Sequence, residues 1–261
     1  MLISEYLVRA LWASAAAFIG YHLAITFAAW YKLRKFPGPF LASFSYLWLA
    51  KTTASGSAWK IHEALRAQYA REGKGPFIRI APDILMFADL DIQRYINSAR
   101  SRYTRSESYN AFRLDPYRHT FFSTTDDAFH DDVKAKTSAG YTGREVPTLE
   151  ADIDEQIVNM KNLIRRKYLS DGATSRPIDF ATVTNYFTLD TLTKIAYGKE
   201  FGYLATDSDM NGYVKVMSDT SLIMGLCSNV PWIRHTLASD LMLKLFGPKP
   251  TDTEGVGVLM G

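Results

Sequence analysis

The chain has 261 residues, 47% of them hydrophobic and 22% charged, and a formal net charge of +3. That is enough apolar material for a sizeable core, and 15 Tyr, 15 Phe and 5 Trp argue against disorder. No face or tail gathers Lys and Arg as a phosphate-tracking surface requires, which argues against nucleic acid, and a lone cysteine, Cys227, excludes an intrachain disulfide and a multi-cysteine zinc cluster.

Residues 10–31, ALWASAAAFIGYHLAITFAAWY, contain no Asp, Glu, Lys or Arg. As a helix this run would be about 33 Å long, enough to cross a bilayer core. Lys32, Arg34 and Lys35 follow it, whereas only Glu5 and Arg9 precede it. A cleaved signal peptide would carry its cations ahead of the apolar run. The expectation is a transmembrane anchor with its basic flank over 1–35, Met1 across the membrane and the body in the cytosol. FPGPF (36–40) cannot continue a helix, so 36–56 reads as a proline-rich joint.

The body, 57–261, begins with a helix over 57–73, with Ile61, Leu65 and Tyr69 on one face and Gly73 as its stop. FIRI (77–80) and ILMF (84–87), separated by the turn residues APD, predict a β hairpin. Asp89 or Asp91 caps the next helix. Residues 100–124 show neither helical nor strand period, and an aromatic loop of this length points to function. A helix follows over 126–139, its acids first and its lysines last. The amphipathic stretch 149–169 places Leu149, Ile153, Ile157, Met160, Ile164 and Tyr168 on one face. Asp179 and Gly198 delimit another helix. Further helices are expected over about 208–225 and 236–246, with SNVPW interrupting between them. The fold class is mostly α with a small β hairpin.

Three motifs carry possible chemistry. The glycines of GVGVLMG (255–261) lack the spacing and context of a dinucleotide loop. Cys227 reads as a buried small hydrophobe. His130 and Lys134 stand four residues apart and share a helix face. Spacing allows two readings of that pair. One is a solvated face with Asp131 or Asp132 near Lys136; the other is two donors aimed at a carboxylate or phosphate.

YTRS (103–106), LDP (114–116), DDAFHDDVKAKTSAGYTGRE (126–145) and IAYGKEFGYL (195–204), in this order, resemble the N-terminal half of the cytochrome P-450 family, the haem-thiolate monooxygenases, in its membrane-anchored fungal form. The resemblance implies that His130 and Lys134 donate to the propionates of a haem cofactor. The family has Arg where Lys134 stands, and a lysine lacks the bidentate fork. It implies further that about 104–122 contacts substrate, that 208–250 roofs the cavity, and that the partners are a small apolar metabolite, a membrane reductase and the endoplasmic reticulum membrane.

The family's axial cysteine follows a Phe and a Gly. Met217 and Thr220 occupy those places ahead of Cys227, and neither the oxygen-activating helix nor the Glu-x-x-Arg helix precedes Gly261. The expectation is therefore a truncated monooxygenase, inactive as it stands, with apolar helix faces left uncovered. The alternatives are a non-catalytic membrane-tethered remnant, a partner-binding protein, or a helical binding protein of accidental resemblance.

Overall fold

Short polar side chains cap the starts of four α-helices among the described residues. The computed structural model describes residues 12, 20–21, 23–98, 101–113, 115, 117–252 and 257. Asp89, Asp126 and Asp179 each accept two hydrogen bonds from the amides two and three residues on, at 2.9–3.2 Å, and Ser239 Oγ accepts one from Met242 at 3.3 Å. Each such cap is worth about 1 kcal/mol. The chain divides into two compact units, Met1–Ala111 with Met224–Ala238, and Phe112–Ile223 with Ser239–Gly261.

The first unit contains helix α1 (23–33), α2 (Leu47–Ala54), α3 (Ala58–Arg71), strands β1 (Phe77–Ala81) and β2 (Ile84–Phe87), and α4 (Leu90–Ile96). The strands form an antiparallel hairpin in which Phe77 faces Phe87 and Ile78 faces Met86, with an irregularity between Arg79 and Ala81. Leu49, Tyr69, Ile78, Ile80 and Ala81 make its core, and burying each large apolar side chain contributes about 1.5–3 kcal/mol.

The segment expected as a joint, 36–56, docks on this hairpin. The Arg79 amide donates to Pro37 O at 2.7 Å, and the Phe36 ring meets Phe77 edge-on at 5.8 Å. A Cβ at Gly38 would lie 2.2 Å from the Arg79 carbonyl oxygen, so only glycine allows this approach. The same segment holds a 3-10 turn, Leu41–Ser43, and α2, whose Leu49 enters the core. Arg79 itself is fully buried. Its Nη2 donates to Trp30 O at 3.1 Å, and burial pushes its pKa down.

The second unit contains α5 (Asp127–Thr137), α6 (Leu149–Leu163), α7 (Phe180–Tyr197) and the single-turn α8 (Tyr203–Thr206). Helix α9 (Tyr213–Asn229) contributes to both units, α10 (Pro231–Leu237) belongs to the first, and α11 (Asp240–Phe246) to the second. The α6–α7 core is Leu163, Val183, Tyr186, Tyr203 and Leu204. At its centre Asp190 is 1% exposed. Its Oδ1 accepts from the amides of Gly202 at 2.8 Å and Tyr203 at 3.1 Å, and its Oδ2 from Leu204 at 2.8 Å. Thr193 Oγ1 accepts from the Phe201 amide at 3.2 Å. Side chains of α7 thus satisfy the free N–H groups that open α8.

Three sequence expectations change. The buried face of α6 runs through Gln156 and Leu163, while Ile157 is 37% exposed, because the helix closes on α7 and α8 along a rotated stripe and its last turn widens to a π-helix, Ile164–Tyr168. The helix expected over 208–225 extends to Asn229 behind a 3-10 turn, Met210–Gly212. Pro231 does not prolong the interruption after Asn229. It stands at the first helical position of α10, where the missing N–H costs nothing.

Among the described residues no helix is long and apolar enough to cross a membrane. Ten of the 22 residues of the expected anchor, 10–31, lie outside them. The tail motif 255–261 also falls outside, except Gly257, as do Leu114 and Pro116 of LDP. Large apolar side chains stand in water on α7, with Phe180 60%, Leu192 59% and Tyr197 73% exposed.

Asp190→Asn turns one acceptor oxygen into a donor facing an amide. We expect a loss of about 2–3 kcal/mol and faster hydrogen exchange at Gly202, Tyr203 and Leu204, read by amide exchange mass spectrometry. Asp207 follows α8 with φ 50°, and its Oδ2 takes hydrogen bonds from Tyr168 Oη at 2.7 Å and from Lys167 Nζ. Burial raises its pKa, but these two partners outweigh burial and hold it below the usual carboxylate value. A depressed folded pKa gives stability that is present above the unfolded value and lost as pH falls through the folded one. Asp207→Asn keeps the left-handed backbone. It should lower stability at neutral pH, and its denaturation midpoint should converge with that of the unsubstituted chain below about pH 4.

Candidate functional site

Helix α5 is held by its ends. Asp126 caps it, Asp127 lies in its first turn and Lys134 and Lys136 in its last, so charge complements the dipole at both termini. Lys136 Nζ pairs with Asp132 Oδ2 at 2.7 Å. None of its residues is fully buried, so little of its stability comes from the core.

The approach to α5 is fixed by a Ser/Thr box that the sequence reading passed over. Thr120 N donates to Ser123 Oγ at 3.0 Å, and Ser123 N donates to Thr120 Oγ1 at 3.2 Å. Thr124 Oγ1 accepts from the Asp126 amide at 3.1 Å, which joins the box to the cap. Ser123 and Thr124 are 0% and 4% exposed. The run HTFFSTTDD carries the signal, since clustered Ser, Thr and Asp before an apolar residue favour local side-chain to backbone bonds. Upstream, His119 Nε2 lies 3.5 Å from Arg113 Nη1, and Arg113 pairs with Asp240 at the start of α11.

The box sets Phe121 against α5, with its ring centroid 6.3 Å from that of His130. The His130 side chain is 15% exposed and its Nδ1 meets Asp131 Oδ1 at 2.9 Å. Lys134, one turn on, is exposed and has no ion pair among the described residues. The structure therefore sets a covered imidazole and an uncommitted ammonium on successive turns. Two adjacent cationic or neutral donors of this kind suit a carboxylate-bearing ligand, and the propionates of a haem match that donor set. A cavity of about 990 Å³ lies elsewhere in the unit, between α7 and the start of α9, and neither residue lines it.

An axial thiolate is a different matter. Cys227 is 4% exposed in α9, and burial pushes its thiol pKa up, with Arg234 opposing. The Arg234 guanidinium donates from Nη1 to Ser228 O at 3.1 Å and Cys227 O at 3.4 Å, and its Nη2 pairs with Glu107 Oε2 at 3.6 Å. Cys227 lies inside helix α9 with Met217 and Thr220 ahead of it, so its context does not match the Phe- and Gly-preceded cysteine that the resemblance implies as the iron ligand. Among the described residues no group of three or more His, Cys, Asp and Glu could hold a metal ion.

No protein-family model matches the chain, and no solved structure does. Similar proteins are found among curated ones. The chain is 44% identical over 233 residues to cytochrome P450 monooxygenase ABA1 of Pyricularia oryzae, covering 88% of this chain and 45% of that protein. It is 40% identical over 233 residues to cytochrome P450 monooxygenase aba1 of Botryotinia fuckeliana, covering 87% and 44%. The chain thus spans about half the length of these relatives. It is also 38% identical over 156 residues to the inactive cytochrome P450 monooxygenase lolP2 of Epichloe uncinata, covering 59% of this chain and 82% of that protein. With a mostly helical fold, one antiparallel hairpin and these identities, the chain belongs to the cytochrome P450 family.

Proposed function

We propose that these 261 residues supply the propionate-binding side of a haem cradle in a monooxygenase that oxidises a small apolar metabolite. The observation that carries the reading is the pairing on α5 of a covered His130 with a Lys134 that has no ion pair among the described residues. When bound, haem supplies the oxygen chemistry of the family. This chain's part is to orient the group by its acid edge, His130 through a hydrogen bond and Lys134 through charge. Phe121 would shield the imidazole from water. The chain is further proposed to sit on the cytosolic face of the endoplasmic reticulum membrane through residues 10–31, taking electrons from a membrane reductase.

A second reading is a non-catalytic relative that keeps the cradle or binds a partner. The helical setting of Cys227 favours it, and so does the similarity to a relative named as inactive.

Expression with haem supply, reduction and addition of CO tests this. We expect no thiolate-type Soret band, and its appearance would overturn the assignment of Cys227. In haem titrations His130→Ala and Lys134→Ala should each weaken binding about tenfold, as loss of one charge-assisted hydrogen bond requires. Lys134→Arg should tighten it, because the guanidinium can hold a carboxylate with two parallel bonds. Unchanged affinity in both alanine variants would remove the propionate reading.

A further inference from the structure

Residues 169–177, LSDGATSRP, link α6 to α7 as neither helix nor strand, and all nine are exposed. Directly before them the π-helix Ile164–Tyr168 presents Arg165, Arg166 and Lys167 in succession and buries no residue. Ser170 therefore follows three exposed cations, at five, four and three places earlier. Thr174 and Ser175, in the same link, have no Lys or Arg among the five residues before them.

The link is folded so that Ser170 faces an arginine. Asp171 Oδ1 accepts from the amides of Ala173 at 3.1 Å and Thr174 at 2.8 Å, a turn that brings Arg176 back. The Arg176 amide then donates to Ser170 Oγ at 2.9 Å, and the Arg176 guanidinium lies 3.6 Å from Asp171 Oδ2. That ion pair is long and solvent-exposed, so it holds the guanidinium weakly. A dianion on Ser170 Oγ would meet an amide N–H and a guanidinium fork, a donor set that holds phosphate oxygens. Helix-dipole complementarity accounts for cations at the end of a helix, but not for a hydroxyl set against this amide.

We propose that Ser170 is a phosphorylation site for a protein kinase that reads cations three to five residues ahead of the hydroxyl. The γ-phosphoryl group of ATP passes to Ser170 Oγ. The new O–P bond replaces the one to the β-phosphate oxygen, ADP leaves, and the hydroxyl proton goes to the kinase's base. The phosphate then draws in Arg176 and competes with Asp207 for Lys167, whose side chain is 55% exposed. Asp207 keeps its hydrogen bond from Tyr168 Oη at 2.7 Å but loses its ammonium, which loosens the chain where α8 ends. The site lies apart from α5 and is independent of the haem reading.

The test incubates the full chain with magnesium ATP and the catalytic domain of an AGC-class kinase, a class that requires cations three and five residues before the hydroxyl, and maps the phosphate by mass spectrometry. We expect phosphate at Ser170 and none there in Ser170→Ala. The double variant Arg165→Ala with Arg166→Ala should take it up about tenfold more slowly. Phosphate on Thr174 or Ser175 in place of Ser170, or an undiminished rate in the double variant, overturns the proposal. A peptide of residues 161–177 serves as the control for folding. If the peptide is modified and the folded chain is not, the π-helix conceals the site and the proposal fails. On the phosphorylated chain, amide exchange at 203–207 should be severalfold faster than on the unmodified one, and Lys167→Gln alone should reproduce that increase. Phosphate at Ser170 with unchanged exchange at 203–207 refutes the coupling to Asp207.

Discussion

The arrangement of the second unit depends on one buried carboxylate. Asp190 gives its two oxygens to three consecutive amides, and Tyr203 and Leu204, which carry two of those amides, are themselves core residues packed on Leu163 and Val183. Polar satisfaction and apolar burial therefore stand or fall together here. If the carboxylate were lost, the free N–H groups of α8 would have to find water, and the turn could reach water only by lifting Tyr203 and Leu204 out of the core. Gly198 and Gly202, both left-handed, give the chain the sharp reversal that this geometry needs.

Helix α5 is built on the opposite plan. It has capping bonds and complementary charges but no fully buried residue, so its faces are free to meet something other than the protein core. The Ser/Thr box before it supplies the rigidity that packing would otherwise give. His130 and Lys134 are consequently presented on a stiff, sparsely packed helix, a suitable way to hold a ligand by its charged edge without competing for core contacts. Lysine at 134 brings charge without a fork, which suits an acid group that must be neutralised more than one that must be held at a fixed angle.

The sequence disclosed those features whose causes are local. The ends of α7 follow from Asp179 and Gly198, and the hairpin from two short apolar runs about APD. The order of four motifs pointed to the family. What escaped depends on tertiary neighbours. Asp190 stands in a helical run, and nothing local shows that α8 returns to it. Ile157 was set on the buried face of α6, where Gln156 lies instead, because apolar period alone does not say at which azimuth the neighbouring helix arrives. Pro231 reads as a breaker in sequence, since a proline that starts a helix and one that ends a helix look alike without the preceding turn. The docking of the joint is not legible in the sequence because its partner, the backbone of Arg79, is 41 residues downstream of Gly38.

The α5 pair is proposed to recognise the carboxylates of a porphyrin. The most direct measurement compares the chain's affinity for iron-free protoporphyrin IX with that for its dimethyl ester, which has the same ring and no acid groups. Iron ligation plays no part in either titration. The account predicts that the free acid binds at least about tenfold more tightly, with the difference shrinking as salt is raised. Equal affinities, or tighter binding of the ester, would mean that the ring is held by apolar surface alone, and the role given to His130 and Lys134 would be wrong.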